Sequence, residues 1–244
     1  MMKKVFISVI VSCMLLLVLA NCERSRNNPL DPKAVNYKEP TPFFFAWETI
    51  FSDSFNRGTT ANSNVGPGWL AILAGTNITP NSIVKVTNNE AFAQESGKAV
   101  YDVEEFNDLI LRISAKFRTS SGVPTEVGLF GRYNTGNGDG YWGGISTNNK
   151  LVLFQSMNGT NHIFGSSDVA LTANSTYYLE FILAYPEFVL YLYNSAQIQI
   201  GTISTIFTNT PLTTGKVGFY GGCINNSGPS YAVYLDDFLL DRLR

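Results

Sequence analysis

Along most of this chain, apolar and polar residues change places at every second position. Between Leu109 and Phe117 the side chains of Leu109, Leu111, Ile113, Ala115 and Phe117 share one side of an extended backbone, and Arg112, Ser114 and Lys116 share the other. That period of two is the mark of a strand with one face on a core. The same pattern predicts strands at Val127–Tyr133, Leu151–Gln155, Tyr177–Leu183, Phe188–Tyr193, Ile198–Thr202, Val217–Tyr220 and Tyr231–Leu240. Helical periodicity is essentially absent. Between the runs stand Ser121-Gly122, Asn134 to Gly140, Asn148-Asn149, Asn158-Gly159, Tyr185-Pro186-Glu187 and Asn194-Ser195. Glycine and asparagine accept the left-handed backbone of tight hairpins, and proline presets φ for a turn. Strands at near-regular spacing, joined by hairpins, predict an all-β fold, an antiparallel sandwich or jelly roll. The stretch Gly215 to Leu240 reads as a closing hairpin, two strands around a Gly/Asn/Ser loop, laid beside a first strand at Phe51–Arg57.

The start of the chain follows a different pattern. Lys3 and Lys4 precede an apolar run from Val5 to Leu19, interrupted only by Ser8, Ser12 and Cys13. The run is shorter than the roughly 20 residues of a spanning helix and has the layout of an export signal. It ends in Leu19-Ala20-Asn21-Cys22, which resembles the lipobox of bacterial lipoproteins. The resemblance implies acylation of Cys22 and cleavage before it, with residues 1–21 as the lipoprotein signal peptide. Asn21 departs from the usual Gly or Ala at that place; the alternative is a plain secretory leader. Glu23 to Glu39 is polar with Pro29 and Pro32, and Pro40 and Pro42 follow; prolines remove backbone donors and forbid regular ladders, so residues 22–48 are expected to form a lipidated tether. The cluster Phe43, Phe44, Phe45 and Trp47 is read as a first strand or as a plug over the sandwich edge. A membrane partner held through palmitate and other acyl chains, and a place in the cell envelope at the outer membrane, periplasmic or surface-exposed, follow as expectations.

Composition agrees with a β domain over residues 49–244. The chain is 45% hydrophobic and only 15% charged, with Tyr and Phe abundant, a balance that favours sheet. Its net charge of −2, without a clustered basic face, disfavours nucleic acid as a partner. The cysteines are Cys13, Cys22 and Cys223, so no disulfide framework can be built in the body of the protein.

Several short segments carry a family resemblance. Phe51-Ser52-Asp53-Ser54-Phe55-Asn56-Arg57, Gly68-Trp69, Val127 to Tyr133, Gly215 to Phe219 and Leu235-Asp236-Asp237-Phe238 resemble the concanavalin A-like lectin/glucanase superfamily, and within it the laminin-G-like and carbohydrate-associated bacterial members. The resemblance implies an antiparallel two-sheet jelly-roll sandwich, concanavalin A-like, with curved sheets and with first and last strands side by side, in many members sugar binding on the concave face or in rim loops, and in several a structural calcium on the convex side.

Candidate chemistry is sparse. Asn134-Thr135-Gly136-Asn137-Gly138-Asp139-Gly140, led in by Arg132 and followed by Tyr141 and Trp142, is the best ligand candidate. Amides and a carboxylate can serve sugar hydroxyls, and a flat aromatic can stack on a sugar's C–H face; the same residues also suit an ordinary long hairpin. Asp53, Asn56, Asp236 and Asp237 offer hard oxygen ligands for a structural calcium if the terminal strands adjoin; otherwise the aspartates cap hydrogen bonds at strand ends. Asp102 and Glu104 would share a face if extended, but the Glu-Asp-Glu strand of laminarinase-type glucanases is missing. His162, the single histidine, lacks the context of a nucleophilic triad or a zinc site. No catalytic residue is assigned. The expected function is non-catalytic binding of carbohydrate or a protein partner by a membrane-anchored lipoprotein; the alternatives are a glycoside hydrolase of the same fold and a purely structural envelope lipoprotein.

Overall fold

The computed structural model describes residues 47–60, 64–72, 83–94, 97–117, 126–146, 149–172, 174–207, 212–222 and 233–243. Residues Trp47–Arg244 form one compact unit. The expected leader, Cys22, most of the tether with Phe43 to Phe45, and Cys223 lie outside the described residues.

Alternation along the chain becomes fifteen strands, with no helix among the described residues. They are β1 (Trp47–Asp53), β2 (Trp69–Ile72), β3 (Ile83–Thr87), β4 (Glu90–Gln94), β5 (Gly97–Phe106), β6 (Leu109–Phe117), β7 (Glu126–Tyr133) and β8 (Gly140–Ser146), followed by β9 (Lys150–Met157), β10 (Thr160–Asp168), β11 (Thr176–Ala184), β12 (Glu187–Tyr193), β13 (Gln199–Ile206), β14 (Gly215–Gly222) and β15 (Val233–Leu243). One sheet has seven strands in the order β10-β9-β8-β7-β14-β5-β2. The other has eight, in the order β13-β12-β11-β6-β15-β4-β3 with β1 also on β15. Neighbours run antiparallel throughout, as between β11 and β6 or β7 and β14. The fold is therefore all-β, an antiparallel two-sheet jelly-roll sandwich, as expected.

β11 shows why these residues form strands. Tyr177, Leu179, Phe181 and Leu183 are buried while the residues between them are half-exposed. Inward faces of this kind from both sheets, including Leu111, Leu129, Phe181, Phe188 and Phe219, make the main core. In β7 and β14 both faces are buried, because a second, smaller cluster lies on the far side of the seven-stranded sheet.

The closing strand differs from its expectation. β14 and β15 are not a hairpin within one sheet: β14 lies between β7 and β5, and only β15 meets β1. β14 and β15 thus belong to different sheets, a topology that residue patterns alone do not separate from a hairpin. β15 pairs along one edge with β6. Its other edge serves β4 at Val233–Leu235 and then β1 at Phe238–Leu243. The changeover coincides with a register shift between Asp236 and Leu239 and with Asp237 at φ 51.

The first motif is a local staple. β1 ends at Asp53, and the chain turns away through buried Phe55 at φ 50. Asp53 Oδ1 accepts the Phe55 N–H at 2.7 Å and an Arg57 N–H at 2.9 Å, while Oδ2 accepts from Trp69 Nε1 at 2.7 Å and from the second Arg57 amino group. Trp69 then packs edge-on against Phe219 and Phe238, with centroids 5.1 and 5.0 Å away. Phe51, Asp53, Phe55, Arg57 and Trp69 thus explain one another as structure.

Candidate functional site

The loop between β7 and β8 is built largely from its own polar groups. Asn134 Oδ1 accepts the Gly136 N–H at 2.8 Å, Asn137 Oδ1 accepts the Asp139 N–H at 3.0 Å, and Asn137 Nδ2 donates to Asp139 Oδ2 at 2.8 Å. Asp139 is 3% exposed and spends its other oxygen on the Asn158 N–H at 2.7 Å, tying this loop to the β9–β10 turn. Asn134 and Asn137 remain exposed at the rim.

Arg132 and Tyr141 point elsewhere. Arg132, at φ 49, is 2% exposed. Its guanidinium donates to the Asn107 carbonyl, the Leu212 carbonyl and Asp108 Oδ1 at 3.0–3.1 Å and lies 4.9 Å over the Phe188 ring. Tyr141 is wholly buried in the main core, edge-on to Phe188. Trp142, one residue on, faces the opposite side, as the strand period requires. The six predicted ligand residues are therefore split: Asn134, Asn137 and Asp139 in the rim loop, Arg132 and Tyr141 toward the core, and Trp142 on the outer face of the seven-stranded sheet.

Trp142 belongs to an aromatic cluster on that face, with Phe130, Tyr133, Tyr220 and Val100 buried beside it and Ile72 and Phe154 half-buried at its margin. Phe154 stacks on Trp142 at 4° between planes, Phe130 lies 4.8 Å from it, and Tyr220 meets it edge-on at 5.2 Å. Glycines give the rings their place. A Cβ on Gly128 would stand 2.6 Å from the Tyr220 ring, and one on Gly218 would stand 2.6 Å from Phe130 and 2.0 Å from the Ala99 carbonyl oxygen. The rim loop abuts the same cluster, since a Cβ on Gly140 would fall 3.1 Å from the Tyr133 ring and 3.5 Å from Trp142 Nε1.

Two hydrogen-bond donors here have no acceptor among the described residues. Trp142 is 5% exposed, and its indole N–H has no partner. Lys98 reaches over the cluster, with Nζ 4.8 Å from the Trp142 centroid and 6.0 Å from that of Tyr133. Burial pushes its ammonium below the ordinary lysine range, and no carboxylate opposes the shift. Lys98, Tyr133, Phe154 and Tyr220 carried no signal in the sequence, because they come from four different strands and meet only through the order β9-β8-β7-β14-β5.

The aspartates considered for calcium lie near one another, since the carboxylates of Asp237 and Asp53 both act on Asp236, but their oxygens are largely engaged within the protein. Asp53 is consumed by Phe55, Arg57 and Trp69. Asp236 Oδ1 accepts the Asp237 N–H at 2.9 Å, and Asp237 is exposed. Among the described residues no group of three or more His, Cys, Asp or Glu side chains could hold a metal ion. Asp102 and Glu104 lie in an exposed bulge of β5, where Asp102 pairs with Lys216 at 3.2 Å. His162 is exposed on edge strand β10.

The eight-stranded sheet carries a depression of about 320 Å³ on its outer face, lined by Arg112, Tyr178, Glu180, Tyr193, Gln197 and Asp237. Its charges largely satisfy one another, since Arg112 binds Glu180 at 2.5 Å and also Asp241. The aromatic face is the stronger candidate, because its donors find no acceptor among the described residues.

No protein-family model matches the chain, and no curated protein matches it. Solved structures do. A GH43 protein, BlXynB, from Bacillus licheniformis aligns with a TM-score of 0.55 at 13% identity over 80% of this chain, which spans only 39% of that protein. The CBM2 module of the evolved Dit of Lactobacillus casei BL23 phage J-1 aligns with a TM-score of 0.55 at 9% identity, covering 81% of this chain and 96% of the module. Basic winged bean lectin, solved with Tn-antigen, aligns with a TM-score of 0.53 at 9% identity, covering 80% of this chain and 98% of the lectin. At such identities the likeness is one of fold, and the fold it shows is the jelly-roll sandwich.

Proposed function

We propose that this chain is a membrane-anchored lipoprotein whose sandwich binds carbohydrate without catalysis, at the outer face of the seven-stranded sheet beside the rim loop. One observation carries the site: a buried indole N–H without an acceptor, set in an aromatic bed with Lys98 over it. A sugar suits such a place, since its C–H faces stack on rings and its oxygens accept from N–H groups. Asn134 and Asn137, exposed at the adjoining rim, are placed to extend the contact. The fold likeness to a lectin and a carbohydrate-binding module agrees with this choice of ligand.

The test is a glycan array with the full chain, followed by Trp142→Phe, which keeps an aromatic ring and removes the N–H. Losing one such hydrogen bond weakens binding by about tenfold. An array without a hit, or a hit that Trp142→Phe leaves unchanged, would refute the site. Anchoring is tested separately: cells fed a palmitate analogue label the wild type and not Cys22→Ala, and a wild type that takes up no lipid removes the anchor.

A further inference from the structure

From the charge balance of the aromatic face we infer that the glycan bound there carries a carboxylate, as in a uronic-acid sugar, with Lys98 as the group that selects it. The preference presupposes glycan binding at that face. Other lysines on the face have partners: Lys216 pairs with Asp102 at 3.2 Å and Lys150 with Asp168 at 3.0 Å. Lys98 forms no ion pair among the described residues and is held only over the Trp142 and Tyr133 rings. The remaining titratable groups packed against the cluster are Glu126, whose carboxyl burial pushes up, and the phenols of Tyr133 and Tyr220, which burial also pushes up. Neither the carboxyl nor the phenols supply Lys98 with a counter-charge.

A desolvated ammonium without a counter-ion is unfavourable in the free protein, and an arriving anion relieves it. The second donor lies beside it. Nζ stands 4.8 Å from the indole centroid, and the Trp142 N–H has no partner among the described residues, so both donors of this face are positive or hydrogen-bearing and suit an anionic group. Phe154, half-buried and stacked on Trp142, is the ring of this cluster open to a sugar's C–H face. A neutral sugar can use the aromatic bed and the indole but leaves Lys98 uncompensated, and that difference is the basis of selection.

The experiment titrates the full chain with polygalacturonate and alginate, and with neutral xylan and mixed-linkage β-glucan, at low and high salt. The acidic polymers should bind at least about tenfold more tightly at low salt, and the preference should fade as salt rises. Lys98→Met, which keeps the stem and removes the charge, should bring the acid-to-neutral ratio to near one, and Lys98→Arg should retain most of it. Melting curves of both variants identify any loss caused by unfolding. Equal binding of acidic and neutral polymers, or a ratio that Lys98→Met leaves intact in a folded protein, overturns the inference while glycan binding stands. Failure to bind any polymer overturns both.

Discussion

Asp53 is where the structural and metal-binding expectations for the terminal strands diverge, and Asp53→Asn separates them. The carboxylate side chain is 8% exposed and accepts from the Phe55 N–H, the Arg57 guanidinium and the Trp69 indole. An amide keeps one acceptor oxygen and turns the other position into a donor facing Trp69 and Arg57. Hydrogen bonds to charged groups contribute roughly 1.5–3 kcal/mol each when buried. Arg57, with its side chain 28% exposed, is discounted toward the value of about 1 kcal/mol or less typical of surface pairs. The substitution should therefore cost about 3 kcal/mol. At about 2–4 °C per kcal/mol for a domain of this size, the midpoint falls by roughly 6–12 °C. Circular dichroism melts of the full chain, with calcium and with chelator, should show the same fall in both. A loss below about 0.5 kcal/mol would refute the staple. So would a calcium-dependent gain present in the wild type and absent from Asp53→Asn, which would make the carboxylate a metal ligand.

Two further outcomes follow from the geometry. Gly218→Ala places a Cβ 2.0 Å from the Ala99 carbonyl oxygen and 2.6 Å from Phe130, so urea unfolding should show a loss of roughly 1–3 kcal/mol or more; an unchanged midpoint would contradict the packing of rings onto that sheet. Asp236 has its carboxyl pushed above the ordinary value by burial and by the nearby carboxylates of Asp237, Glu90 and Asp53, against the Asp237 N–H. A raised folded-state pKa means that its ionised form opposes folding at neutral pH, while the protonated form at low pH carries no such cost. Asp236→Asn should therefore raise the melting midpoint at pH 7, with the advantage vanishing below about pH 4; a variant less stable at pH 7 would reverse the sign.

Clean alternation was the legible part of the fold. Leu109–Phe117 and Tyr177–Leu183 could be read as strands because polar or half-exposed residues alternate with core residues along each. β5 was hidden by the exposed bulge at Asp102–Glu105, which breaks the period, and β10 by its polar, largely exposed edge position. β8 was hidden by its glycines, which read as turn residues but make room for rings from neighbouring strands. The candidate site was legible in one residue, Trp142. Its companions lie far apart in sequence, and Arg132 and Tyr141 turn inward through a left-handed backbone position and a strand period that composition does not reveal.

The shared edge of β15 also sets an order of assembly. Without its last strand the eight-stranded sheet has no β6–β4 junction and no partner for β1, so it falls into β13-β12-β11-β6, the β4–β3 pair and an isolated β1. Closure joins Trp47 to Leu243, across nearly the whole length of the domain, the kind of distant contact that slows folding. A chain emerging residue by residue therefore cannot complete the eight-stranded sheet until β15 arrives, whatever the other sheet has already formed.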